Sequence, residues 1–99
     1  IIYPFVFLSE STILENYIHI NAYSVVGHDS RVCDFSTISA HVGISGHCNL
    51  DKGSFMGSGS RIIPNKSIGS FSSVGAGSVV IKNVAKGINV FGCPAKRIN

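Results

Sequence analysis

Every sixth residue from Ile2 to Val80 is aliphatic or methionine: Ile2, Leu8, Leu14, Ile20, Val26, Val32, Ile38, Ile44, Leu50, Met56, Ile62, Ile68, Val74 and Val80. An amphipathic helix repeats its apolar face every three or four residues, and a half-buried strand alternates by two. A period of six, held in one frame without insertion, is neither. It is a hexapeptide repeat, the mark of a parallel β-helix.

The other columns of the hexad fit that reading. Two places before each aliphatic residue stand slender side chains, among them Ser24, Ser30, Ser36, Cys48, Ser54, Ser60, Ser72 and Ser78, with Ile18 and Lys66 as larger exceptions. These are expected only to fill space, so that Ser72→Ala matters little. One place after it, Asn21, Gly27, Asp51, Gly57, Gly69 and Gly75 suggest the corner, because Gly and Asn accept positive φ at low cost. Three hexads then make one triangular coil of 18 residues, and coils stack at about the 4.8 Å spacing of neighbouring strands. Three internal ladders follow: Ile2, Ile20, Ile38, Met56 and Val74; Leu8, Val26, Ile44, Ile62 and Val80; and Leu14, Val32, Leu50 and Ile68. The fold class is all-β, a prism of four to five coils over residues 1–80, with a final strand and short tail over 81–99.

Both ends of the chain depart from the plain repeat. Tyr3, Pro4, Phe5 and Phe7 crowd the first fourteen residues, which reads as a cap over the open end of the prism. After Val80 the in-frame residue is Lys86, a break in the column. A last strand is expected around residues 88–91, then a short helix or turn after Pro94, since proline suits a helix start.

Composition sets limits on partners. With 44% hydrophobic and only 13% charged residues in a chain of 99, a thin prism has more apolar surface than it can hide alone, so self-association is expected. The formal charge of +3 is modest, and its cations gather late, at Lys82, Lys86, Lys96 and Arg97. That suits a phosphorylated small molecule and not a nucleic acid, which asks for a denser basic stripe. Cys33, Cys48 and Cys93 have neither the spacing of a metal knuckle nor an even count, so a reducing, cytoplasmic setting is expected and no metal. No apolar run reaches the length of a membrane span, and no secretory leader is evident. The column is already in frame at Ile2, so the chain is expected to be part of a longer protein.

The run of hexads, the segment VGHDSRVCDF at 26–35 and the ending VIKNVAKGINVFGCPAKRI resemble the left-handed β-helix acyltransferases, and within them the sialic acid O-acetyltransferase and bacillosamine-type sugar N-acetyltransferase family. The resemblance covers nearly the whole chain and implies left-handed coils, an exception to the right-handed crossover rule. It also implies a homotrimer, acetyl-CoA as acyl donor and a sugar hydroxyl or amine as acceptor. The family's usual N-terminal Rossmann-like domain is absent from this chain, so what specifies the acceptor is expected to lie outside these residues.

Acyl transfer from a thioester needs a base for the acceptor's proton and donors for the oxyanion that develops on the carbonyl. His28, two places after the inward Val26, belongs on a corner or outer face and is the natural base. Asp29 beside it would orient the imidazole. The resemblance gives them the same roles. Eighteen residues on, Gly46 lies above His28, and its column continues with Pro64 and Lys82. By the resemblance, Gly46 offers main chain to the acetyl group, the thiol arm runs between this face and a neighbouring subunit's Ala40, Ser58 and Ala76, and Lys96 and Arg97 lie near the phosphates. His47 stacks over Asp29 and either shares its carboxylate or lines the mouth of the site, with lining the favoured reading; His19 and His41 read as surface or contact residues. Thr37 stands where many family members have a second histidine. Two other classes compete: a γ-class carbonic anhydrase, whose three-histidine zinc spacing the positions 19, 28, 41 and 47 do not match, and a non-catalytic trimerising solenoid.

Overall fold

The computed structural model describes residues 1–98, and they form one stack of triangular coils 32 Å long and about 20 Å across. The first face holds β3 (His19–Ile20), β6 (Thr37–Ile38), β9 (Phe55–Met56), β12 (Ser73–Val74), β14 (Asn89–Phe91) and β15 (Lys96–Arg97). The second holds β1 (Phe7–Leu8), β4 (Val25–Val26), β7 (Gly43–Ile44), β10 (Arg61–Ile62) and β13 (Val79–Val80); the third holds β2 (Ile13–Leu14), β5 (Arg31–Val32), β8 (Asn49–Leu50) and β11 (Ser67–Ile68). Each strand is so short because only one residue per hexad points inward before the chain must turn. Up to β14, neighbours pair in parallel with an offset of one coil, as in Val26↔Ile44 and Ile38↔Met56. The result is the left-handed parallel β-helix that the repeat and the resemblance implied, about five coils high.

The three ladders are the core. Ile20, Val26, Val32, Ile38, Leu50, Met56, Ile68 and Val74 have no solvent exposure at all. The slender column does more than fill space, because its hydroxyls make hydrogen bonds. Ser24 Oγ donates to Ser39 O at 2.7 Å, Ser30 Oγ to Ser45 O at 2.9 Å, and Ser72 Oγ to Ala85 O while accepting from Ile88 N at 3.1 Å. Each hydroxyl ties one coil to the next, and no buried side-chain N or O among the described residues lacks a partner.

The corners also differ from expectation. Positive φ falls three places after the inward residue, at Phe5, Tyr23, Asp29, Phe35, His41, His47, Gly53, Gly59 and Phe71 among others, and not one place after it. Gly27, Gly57 and Gly69 serve close approach instead: a Cβ on Gly27 would lie 2.5 Å from the Ser45 carbonyl carbon of the next coil, and one on Gly69 2.5 Å from Lys86 N.

At the N-terminal end the aromatic segment is not a cap. Residues 1–14 are the first coil itself, with Phe5 and Phe7 pointing outward and the ladder residues Ile2 and Leu8 still 48% and 37% exposed. At the other end the repeat continues past Val80 after a shortened hexad. Val84, not Lys86, turns inward and bridges to Ile68, and Val90 then pairs with Val74. Beyond β14 the expected helix-or-turn is a turn over residues 92–95, and β15 folds back antiparallel on β14. Val79 N donates to Gly92 O at 3.0 Å and Ala95 N to Val79 O at 2.8 Å, so the tail is fastened to the last coil of the second face.

Candidate active site

The corner that follows the second face carries His28 and Asp29, the residues expected to act as base and orienting carboxylate. Val26 turns inward at the end of β4 and is solvent-free, so the next residues must leave the core. His28 does so with an exposed ring, and Asp29 follows at φ 57°, a left-handed backbone that Asp tolerates because its short side chain bonds locally. The consequence is a contact between adjacent residues: His28 Nδ1 lies 3.1 Å from Asp29 Oδ2. The tautomer with its proton on Nδ1 makes this contact a hydrogen bond and presents Nε2 as the acceptor atom.

The next coil closes around this pair as the 18-residue step requires. His47 N donates to His28 O at 2.9 Å, fixing the register. Gly46 lies directly against the imidazole, where a Cβ would come within 2.6 Å of His28 Nε2. Only a residue without a side chain leaves that ring its place. The amide of Gly46 donates to no acceptor among the described residues, while its carbonyl accepts from Asn65 N at 3.1 Å. His47 does more than line the mouth. Its Nε2 stands 3.7 Å from Asp29 Oδ2, and its ring meets that of His28 edge-on, with centroids 5.1 Å apart and planes at 90°. The 18-residue step was the signal for this contact; its reach to the carboxylate depends on side-chain direction, which spacing does not give.

The other residues singled out from the sequence do not join this cluster within one chain. Ser58 and Ala76 lie on the corner after the first face, a different edge of the prism, both exposed and in the same column as Ala22 and Ala40. Lys96 and Arg97 form β15, the strand beyond β14, where with Lys82 and the apolar side chains of Val80, Val84, Ile88, Val90 and Ala95 they line a cavity of about 430 Å³ at the far end of the prism from the first coil. Lys82 belongs to the His28 column, so that column runs from the imidazole down to this cationic mouth. Thr37 sits in β6, half-buried between His19 and Phe55 of the neighbouring strands.

The three cysteines are free. Cys48 is next to His47 in sequence, yet it points inward, with Sγ 3.3 Å from Ile63 O, and burial pushes its thiol above the ordinary range. It is a packing residue and not a thiolate nucleophile. On the corner after the third face, the Arg31 guanidinium hydrogen-bonds Glu15 and holds that carboxyl below its usual value. Among the described residues no helix is long and apolar enough to cross a membrane.

No protein-family model matches the chain. The GDP-perosamine N-acetyltransferase of Escherichia coli O157:H7 is 36% identical over 107 residues, an alignment that takes in 99% of this chain and 47% of that protein. A serine acetyltransferase of Buchnera aphidicola is 42% identical over 53 residues, 54% of this chain and 19% of the other. The chain thus spans less than half the length of these curated relatives. Among solved structures, WeeI from Acinetobacter baumannii AYE superposes with a TM-score of 0.94 at 30% identity, over 97% of this chain and 48% of WeeI. PerB from Caulobacter crescentus, solved with CoA and GDP-perosamine, does so with a TM-score of 0.69 at 25% identity, over 97% and 55%. Sequence relatives and structural neighbours alike are hexapeptide-repeat acetyltransferases, and what this chain shares with them is the β-helix that carries the repeat.

Proposed function

We propose that this chain is the acetyl-transfer part of a sugar acetyltransferase, which moves an acetyl group from acetyl-CoA to an amine or hydroxyl of a sugar. The observation that carries the reading is the His28–Asp29 contact at 3.1 Å with the bare backbone of Gly46 against Nε2. A nucleotide-linked amino sugar is the favoured acceptor, because the E. coli relative is named for N-acetylation of GDP-perosamine over an alignment of nearly the whole chain; sialic acid is the alternative.

In the reaction, His28 Nε2 takes the proton from the acceptor amine or hydroxyl as that atom attacks the thioester carbonyl. Asp29 holds Nδ1 and stabilises the imidazolium that forms. The carbonyl oxygen gains charge, and the unengaged N–H of Gly46 is a donor for it. Collapse of the tetrahedral intermediate breaks the C–S bond. The leaving thiolate receives the proton from His28, and the base is restored.

The donor needs a second wall. Ser58 and Ala76 stand on another edge of the prism, so a groove between them and the His28 corner requires a neighbouring copy, and the trimer supplies it with the same residues three times. Lys96 and Arg97, beside Lys82 at the foot of the His28 column, are placed for the cofactor's phosphates. Three free cysteines suit a reducing, cytoplasmic setting.

The test is loss of thioester absorbance with acetyl-CoA and a panel of nucleotide-linked amino sugars and sialic acid. His28→Ala is expected to lower kcat by about 10² to 10⁴ and to leave acetyl-CoA binding nearly intact. Full activity in that variant removes the base from His28. Absence of turnover together with absence of CoA binding in the wild type favours the non-catalytic solenoid.

A further inference from the structure

His28, Asp29 and His47 bring two imidazole nitrogens and one carboxylate oxygen within 4.8 Å of one another. A single oxygen, Asp29 Oδ2, is common to both close contacts, at 3.1 Å from His28 Nδ1 and 3.7 Å from His47 Nε2. Ligand atoms that share one tetrahedral zinc, each bonded at about 2.0–2.2 Å, stand roughly 3.3–3.5 Å apart. The two observed separations bracket that edge, and the third, between the two imidazole nitrogens, lies within 4.8 Å, so the fit is completed by side-chain rotations that draw the two rings together. The perpendicular setting of the two rings matters as well. Rings stacked flat would hold their in-plane lone pairs side by side, whereas rings at right angles can aim them at one point.

The donor set selects the ion. Two imidazoles and one carboxylate suit zinc and its first-row neighbours, while magnesium and calcium ask for oxygen ligands. All three side chains are exposed, so an ion arrives from solvent and keeps at least one position for water. Among the described residues no other group of three His, Cys, Asp or Glu side chains meets in this way.

We propose that this corner is a reversible binding site for a zinc-class divalent cation, and that the bound cation blocks acetyl transfer. The second half rests on His28 as the base. An imidazole bonded to metal through Nδ1 carries its proton on Nε2, the atom that would otherwise accept the proton of the incoming amine or hydroxyl. The same ion takes Asp29 out of its orienting role. The base is lost with the fold unchanged.

The experiment is a zinc chloride titration of chelator-treated protein against a chromophoric competitor, in parallel with acetyl transfer at each zinc level. Wild type is expected to bind one ion per chain, to lose turnover as the site fills, and to recover on adding EDTA; magnesium chloride does neither. Asp29→Ala and His47→Gln lose the ion, with thermal melts checking that the exposed corner still folds, and His41→Ala on another corner keeps it. Undiminished zinc stoichiometry in both Asp29→Ala and His47→Gln overturns the site and leaves the acetyltransferase reading untouched. One bound ion with unchanged turnover overturns the block. His28→Ala without zinc then decides separately whether the base was misplaced.

Discussion

The corner that carries His28, Asp29 and His47 and the corner that carries Phe5, Tyr23 and His41 are built on the same backbone. Asp29 and His47 have φ of 57° and 56°, Tyr23 and His41 of 62° and 58°. On the aromatic corner the rings lie flat on one another, Phe5 on Tyr23 at 5.3 Å and 2°, Tyr23 on His41 at 5.1 Å and 11°. On the other, the spacing between rings is again 5.1 Å but the planes are perpendicular and converge on a carboxylate. The scaffold sets the separation on both edges, and the residues alone decide between a stack and a polar site. A flat stack of exposed rings buries apolar area coil by coil. A carboxylate between two imidazoles gives up that burial and gains a directed polar contact.

Both corners rest on one core, so the largest effect comes from breaking what they share. Ile44 is the inward residue just before Gly46 and His47 and is all but solvent-free. Ile44→Asp places an unpaired carboxylate in the ladder, which costs several kcal/mol or forces proton uptake, and both edges are expected to be lost together in thermal unfolding. Ser72→Ala is milder but not silent. It takes the shared hydroxyl from Ala85 O and Ile88 N, which keep a bond to each other at 3.3 Å, a loss of about 0.5–1.5 kcal/mol, read as a lowered melting temperature. A Ser72→Ala melt equal to wild type would show the serine column to be filler.

A smaller pair of substitutions separates backbone from site. Gly87 lies on the corner after the third face with φ of 70° and nothing within 4 Å of an added Cβ, so Gly87→Ala is expected to lose about 1–2 kcal/mol of stability through backbone strain alone and to keep its activity. Gly46 has no such φ but has His28 Nε2 2.6 Å from the added Cβ. Gly46→Ala is expected to leave the melt nearly unchanged and to reduce kcat, because the imidazole must swing away from its place over the backbone. Equal losses of stability and activity in both variants would erase the distinction between the two edges.

The hexad frame made the core legible down to single residues, because each ladder position is read by one side chain and nothing else competes for it. The positive-φ corners were not legible. Phe5, Tyr23, Phe35 and Phe71 have no preference for the left-handed region; the closed triangle imposes it, while Gly53, Gly59, Gly77 and Gly87, with Asp29 and Asn65, tolerate it. The turn at 81–84 was hidden for a similar reason. A hexad shortened by two residues moves Val84 into the ladder, while a strict count of six lands on Lys86. In the candidate site, His28, Asp29 and Gly46 follow from an 18-residue step plus the resemblance. The placing of Ser58 and Ala76 as the donor's other wall, in a neighbouring copy, rests on the resemblance alone, since they lie on another edge of the same chain. The antiparallel β15, which seats Lys96 and Arg97, follows from no repeat at all.

The least effect is expected from the Arg31–Glu15 ion pair, which lies on neither of these corners. Arg31 hydrogen-bonds Glu15 through Nε at 3.0 Å and lowers the pKa of its carboxyl. A carboxyl whose value is lower in the folded chain than in the unfolded one binds its proton more readily when unfolded. Its contribution to stability is therefore complete above the ordinary carboxylate range and falls away as pH drops through the lowered folded value. The pair is exposed and screened by salt, so the effect is small. Melting temperature followed from neutral pH into the acid range should fall less in Glu15→Gln than in wild type, and the gap should narrow at high salt. Because Glu15 lies across the prism from His28, the substitution should leave kcat unchanged, and a drop in turnover would mean that this third corner, too, takes part in the site.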